Sequence, residues 1–305
     1  MSPMVKLLVL ALAVPALSCA TSPQPVPRTL QAGIDRIVDE AALSGRTIAV
    51  SLTDLEEGIS YGRNDHEIMH AASTMKVPVM LALMEAVDRG ELRFEQPVPV
   101  RNEFRSIVDG SEFTLIAGED GDPDLYDQVG SSAPLEELMR RMIVRSSNLA
   151  TNLLIELATP TRVMDLMSRI GARDIEVLRG VEDEKAYEAG LNNVATAHDL
   201  MLVMKAIAER KAISRDASER MLAILEQQEF RSKIPAGLPP GTRVANKTGT
   251  ITRISHDAAI VYPPGRRPYV LVVLTRGYDD GSVAASQIAA VSSAVWDHLG
   301  NARNR

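Results

Sequence analysis

Cysteine occurs once in 305 residues, at Cys19, so no disulfide closes within the chain and no cysteine zinc cluster forms. Aromatic residues are scarce, with four Phe, six Tyr and one Trp. Thirteen Met stand against them, so the expected core is aliphatic and filled with thioethers. No Lys/Arg-rich block occurs, and the formal net charge is −7. A nucleic-acid binder needs a basic face, so that class of partner is excluded. After the first twenty residues no apolar run reaches 18, so no membrane span is expected in the mature chain. Charged residues at 24% and hydrophobic residues at 45% are close to the globular average, which excludes wholesale disorder.

What is present begins with an export signal over residues 1–20. Lys6 supplies the positive start, and Leu7 to Leu17 is an apolar stretch too short to span a bilayer. Ser18-Cys19-Ala20 fits cleavage after Ala20. Ala16-Leu17-Ser18-Cys19 also resembles a lipobox that would lipidate Cys19, although Ala16 stands where a larger aliphatic residue is usual. Residues 21–28 read as a Pro-rich spacer. The expected location is secreted or periplasmic, as a free protein or a lipoprotein.

Leu30, Ile34, Ile37, Val38 and Ala41 recur at helical spacing, and Gly45 ends that helix. Strands are expected over Thr47–Thr53 and Ile59–Gly62. Helical patterns fill most of 73–228, with candidates at 134–145, 147–158, 160–170, 196–210 and 214–228. Pro160 suits a first helical position, and Thr196 with Asp199 matches a capping box. The acidic, Gly-rich segment 101–130 is expected to be mostly loop. Three strands follow, Arg243–Thr250, Ile254–Tyr262 and Pro268–Thr275, and then a helix over Val283–Leu299. This order implies an α/β (α+β) fold: a five-stranded sheet built from both chain ends, over 29–72 and 229–300, with an inserted all-α domain over 73–228. Two lobes imply a cleft, where sites usually lie.

Three short motifs carry chemistry. In Ser73-Thr74-Met75-Lys76, positions i and i+3 share a helical face, which places an amine beside a hydroxyl. A desolvated lysine activates such a nucleophile. If Ser73 opens the helix, its backbone N–H serves an oxyanion. The bland alternative is a capping Ser and a surface Lys. Ser146-Ser147-Asn148 lies at a helix junction, where Ser and Asn also serve as ordinary caps. Lys247-Thr248-Gly249 lies on a strand, where Lys and Thr bind a carboxylate and Gly lets another group approach the backbone. Its bland reading is a kinked strand end.

Each motif is weak alone. Together, in this order and on these elements, they resemble the serine β-lactamase and penicillin-binding protein superfamily, and more closely a class A β-lactamase, over about residues 28–300. The resemblance implies an antiparallel sheet with flanking helices plus a helical domain, a small β-lactam substrate, a monomer, and no metal or organic cofactor. It implies Ser73 as the acylated nucleophile, Lys76 as its proton acceptor and Ser146 as the relay to the ring nitrogen. It implies that Asn148 contacts the acylamide chain and that Lys247 and Thr248 take the carboxylate. The N–H groups of Ser73 and Thr250 would form the oxyanion hole, with Gly249 between strand and substrate. The family's loop glutamate falls on Glu182, the loop's start matches Leu178, and Asn152 matches an asparagine that braces the loop. Three departures stand out. Ser147 replaces an Asp, Ala186 replaces the asparagine that shares the hydrolytic water, and the loop's Arg–Asp clasp is reduced to Arg179 and Asn193. Slow deacylation, as in a penicillin-binding acyltransferase, is the alternative these departures leave open. Asp183 and Glu184 also flank Glu182, so spacing alone does not settle which carboxylate is used.

His66-Glu67-Ile68-Met69-His70 is formally the zinc peptidase pattern H-E-x-x-H. That chemistry needs both His on one helical face and a third ligand. The segment follows a strand, and Asn64-Asp65 suggest a turn, so two loop histidines are expected. His256-Asp257 are adjacent on a strand and therefore point to opposite faces, which rules out a relay between them.

Overall fold

The computed structural model describes residues 24–300. The export signal and the alternatives at Cys19 and Ala20 lie outside the described residues. Five strands form one antiparallel sheet: β1 (Thr47–Asp54), β2 (Ser60–Arg63), β3 (Arg243–Ile251), β4 (Ile254–Tyr262) and β5 (Tyr269–Arg276). Their order is β2-β1-β5-β4-β3, so both chain ends do build the sheet and β3 is its edge. β5 reads as an unbroken apolar run from Val270 to Leu274 because both of its faces are covered. Leu271 and Val273 pack with Leu30, Ile34, Ile288 and Trp296, from α1 (Arg28–Ala42) and α9 (Gly281–Leu299). Val270, Val272 and Leu274 face the helical layer instead.

That layer centres on α2 (Lys76–Asp88), which is apolar and buried almost all round. Around it lie α3 (Leu135–Val144), α4 (Asn148–Ala158), α5 (Pro160–Ile170), the short α6 (Glu184–Glu188), α7 (Ala197–Ala208) and α8 (Arg215–Leu225). The capping box at α7 is only half made. Thr196 Oγ1 accepts from the Asp199 N–H at 3.0 Å. The shorter Asp carboxylate turns away to the N–H groups of Asp174 and Ile175, at 2.6 and 3.1 Å.

Segment 101–130 is more ordered than its composition suggests. It holds a small hairpin, Phe104–Arg105 with Glu112–Phe113, and two 3-10 turns. Its Asp120 completes the start of α4. The carboxylate accepts from the N–H groups of Asn148 and Leu149 at 2.8–2.9 Å, and Ser147 Oγ accepts from Ala150 N. Thr151 N reaches Ser147 O, so all four initial donors of α4 are satisfied. Here Ser147 is a cap, and the carboxylate arrives from another loop. Asp122, fully buried beside it, pairs with Arg141 and Arg145 at 2.7 and 2.6 Å. Removing a buried acceptor of several charged hydrogen bonds is costly. Asp120→Ala is expected to destabilise the fold by about 2–4 kcal/mol, seen as a lower urea midpoint at unchanged slope. An unchanged midpoint would mean that solvent replaces the carboxylate.

Candidate active site

The chain turns sharply before α2. Ala72 has φ 46°, and Ser73 lies on a single 3-10 turn, Ala72–Met75, instead of on the α-helix itself. β3 runs beside this turn. A Cβ added at Gly249 would lie 3.1 Å from Ser73 N and from Ala72 Cβ, so the glycine is what allows the strand edge to close on the turn.

Lys76, the first residue of α2, is fully buried, and burial lowers its pKa to about 7 even with Asp120 and Glu182 nearby. Its Nζ donates to Ser146 O at 2.7 Å, Asn148 Oδ1 at 2.8 Å and Ser146 Oγ at 3.2 Å. The i, i+3 spacing puts this amine beside the Ser73 hydroxyl, and the acceptors it holds come from the α3–α4 junction. Ser146 sits in the left-handed region, φ 60°, which turns its side chain inward between the helices. Its Oγ also accepts from Lys247 Nζ at 3.0 Å, so one hydroxyl lies between two lysines. Burial first, then the cations of Lys76 and Lys233, holds the Lys247 pKa well below its usual value.

Asn148 continues the chain of contacts. Its Nδ2 donates to Glu182 Oε1 at 2.6 Å, so one amide joins Lys76 to Glu182. Burial raises the Glu182 pKa. The loop that carries Glu182 is pinned at both ends. Asn152 exchanges two hydrogen bonds with the Val181 backbone, at 2.6 and 3.0 Å. Asn193 bonds the backbone of Leu178 and Arg179, and the Arg179 side chain holds Leu191 O and Asn192. Amide and carbonyl groups thus replace an Arg–Asp clasp. The structure also separates the three neighbouring carboxylates. Asp183 caps α6 and accepts from Ser106 Oγ, Glu184 begins α6, and Glu182 alone meets Asn148. Ala186 is buried and offers no polar side chain.

A cavity of about 700 Å³ is lined by Ser73, Asn148, Glu182, Thr250, His70 and Tyr187, among others. Lys76 and Lys247 lie buried behind it. Thr248 is paired with Asp257 across β3 and β4 and is not part of the lining. Lys233 carries no spacing signal in the sequence. Its buried Nζ donates to Thr250 Oγ1 at 2.9 Å, Gly249 O and His256 O, and burial lowers its pKa to about 8. Asp120 was equally unsignalled, lost in an acidic loop.

The remaining candidates separate. His256 is buried and held neutral, its pKa lowered by burial to about 4, and its Nε2 meets His70 O at 2.9 Å. Asp257 faces the other way, to Ile234 N and Asn246 Nδ2. The H-E-x-x-H stretch is turn and short strand, not helix. His70 Nδ1 accepts from Ala72 N, Glu67 pairs with Arg276, and His66 stacks on His198. The peptidase arrangement is therefore not assembled.

Residues 29–299 match the model of a family described as "Beta-lactamase enzyme family". A β-lactamase of Bacteroides uniformis is 24% identical over 276 residues, 85% of this chain and 89% of its own. The crystal structure of a β-lactamase from Sphaerobacter thermophilus is 27% identical with a TM-score of 0.72, covering 88% of this chain and 97% of that one. A β-lactamase structure from Xanthomonas campestris shares the fold at a TM-score of 0.77 and 24% identity, over 89% and 97%.

Proposed function

The chain belongs to the β-lactamase enzyme family, and from that premise we propose that it is a class A-type serine β-lactamase working through an ester on Ser73. The carrying observation is the continuous set of contacts Lys247–Ser146–Lys76–Asn148–Glu182 behind the cavity that Ser73 lines.

Ser73 Oγ attacks the lactam carbonyl carbon, and its proton passes to Lys76. A lysine with pKa about 7 is substantially neutral at working pH. Loss of one ammonium proton gives up the longest contact, to Ser146 Oγ at 3.2 Å, and frees a lone pair. The N–H groups of Ser73 and Thr250 receive the oxyanion. As the C–N bond breaks, Ser146, held between Lys76 and Lys247, gives its proton to the ring nitrogen and takes one back from the protonated Lys76. Glu182 then takes a proton from water, whose oxygen attacks the ester carbonyl carbon, and that proton is returned to Ser73 Oγ as the ester C–O bond breaks. The substrate carboxylate is met at the Thr250 end of β3, with Lys247 and Thr248 buried behind it, and Asn148 contacts the acylamide chain. Lys233, bonded to Thr250 Oγ1, adds positive charge there. Lys233→Met is expected to raise KM for a penicillin about tenfold with a smaller effect on kcat, as steady-state kinetics would show. Equal losses in kcat and kcat/KM would place Lys233 in the transition state instead.

We further place the protein outside the cytoplasm, secreted or periplasmic with Cys19 as a potential lipid anchor, acting as a monomer and conferring β-lactam resistance. Among the described residues no helix is long and apolar enough to cross a membrane. The sheet domain over 29–72 and 229–300 and the helical domain over 73–228 form the two walls of the cleft.

A second reading, a penicillin-binding acyltransferase with slow deacylation, is favoured by one observation: Ala186 brings no amide to the water that Glu182 would activate. Intact-protein mass against time after adding a simple penicillin separates the two. An adduct that forms and then disappears as drug is hydrolysed supports the β-lactamase. An adduct that persists supports the acyltransferase. No adduct, with the drug untouched, overturns both.

A further inference from the structure

We infer that Asp65, His66 and His198 form a surface site for a divalent transition-metal ion, of the class that zinc represents. None of the three lines the cavity that Ser73 lines, and the site uses one histidine of the H-E-x-x-H stretch with partners that the motif does not contain. His66 lies in the turn after β2, and His198 lies on the first turn of α7. Their rings face each other with centroids 4.4 Å apart, tilted by 31°. Asp65 Oδ2 is 3.6 Å from His198 Nδ1, and one ligand atom from each of the three residues lies within 4.8 Å of the others. Among the described residues no other grouping of His, Cys, Asp and Glu comes as close.

The donor chemistry fits. Two imidazole nitrogens and a carboxylate oxygen suit zinc, with solvent in the fourth position. Bonds of about 2.0–2.1 Å place tetrahedral ligand atoms about 3.3 Å apart. His66 is exposed, so its ring is the one that would turn to close the remaining gap. The frame beneath is fixed. His198 N donates to Asp65 O at 2.9 Å, which locks the turn onto the helix. The Asp65 carboxylate lies directly over Gly62, where a Cβ would stand 2.3 Å from Oδ2. Glu67, the would-be base of a peptidase, is held by Arg276, so the site binds without offering that chemistry.

Position gives the metal a structural role. The turn with Asp65 and His66 leads through Met69–His70 into the Ser73 turn. α7 follows the loop that carries Glu182, and Met69–His70 pairs with Val194–Ala195 just ahead of that helix. A bound ion would staple these two segments together.

The test is zinc titration of chelator-stripped protein, by calorimetry and by thermal melts. The expected result is one equivalent bound by the wild type, and a melting temperature raised by a few degrees in excess zinc. His66→Ala and His198→Ala should each weaken binding at least about tenfold and remove the thermal shift. His66 is exposed, so its substitution does not threaten the fold. His70→Ala should bind as the wild type does. No saturable binding by the wild type overturns the site, as does undiminished binding by His66→Ala. Loss of binding in His70→Ala alone would assign the metal to the other histidine and overturn it equally.

Discussion

Ser73→Ala is expected to lower kcat/KM for a penicillin by about 10⁴-fold or more and to abolish any mass adduct. The size follows from the mechanism. Without Oγ no ester forms, and the remaining lysines and hydroxyls only bind and polarise the substrate. Stability should hardly move. The Ser73 side chain is half-buried, and none of the described contacts uses its Oγ as a hydrogen-bond partner, so its loss strands no buried group. That separation makes the variant decisive. A folded protein that still binds penicillin without turning it over places the chemistry on Ser73. A folded protein that hydrolyses at the wild-type rate removes the serine mechanism entirely, for the β-lactamase and the acyltransferase alike.

Glu182→Gln should divide the reaction in two. Gln keeps an oxygen to accept from Asn148 Nδ2, so the contact at 2.6 Å and the loop geometry are retained. What it loses is the base. General-base assistance is worth about 10²–10⁴-fold, so turnover should fall by about 10³ while the Ser73 adduct accumulates. Acylation should survive, because the Glu182 charge is one of the influences that raise the Lys76 pKa. Without it that pKa falls, and more of the lysine is neutral at a given pH. The sign is then fixed. Protonated lysine cannot accept the Ser73 proton, so acylation of this variant should rise as pH passes through the Lys76 pKa and level off only above it. Stopped-flow acylation across pH 5–9 reads this directly. Rapid turnover without an adduct would show that Glu182 is not the deacylation base. A flat pH profile would remove Lys76 as the proton acceptor.

Local spacing along the chain encodes part of this architecture. The order of strands and helices followed from hydrophobic period, because a buried face repeats every two or about 3.6 residues regardless of its partner. The motifs around Ser73, Ser146 and Lys247 were legible for the same reason, being short and sitting at recognisable element boundaries. Tertiary structure decided the rest, because hydrogen bonds between distant segments leave no period. Lys76 donates to residues seventy and seventy-two positions away, not to its helical neighbour Ser73. Asp120 completes a helix start twenty-eight residues downstream, and Lys233 reaches the β3 edge from a loop. Of three adjacent carboxylates, the positive φ of Glu182 and the capping bonds of Asp183 determine which one meets Asn148. A histidine pattern that reads as one site is split, with His70 in the cavity wall and His66 beside His198. Sequence by itself determined which chemical groups this chain carries and on which elements. Which groups touch was decided by packing, since only the folded chain brings distant polar atoms into a site too dry to leave them unpaired.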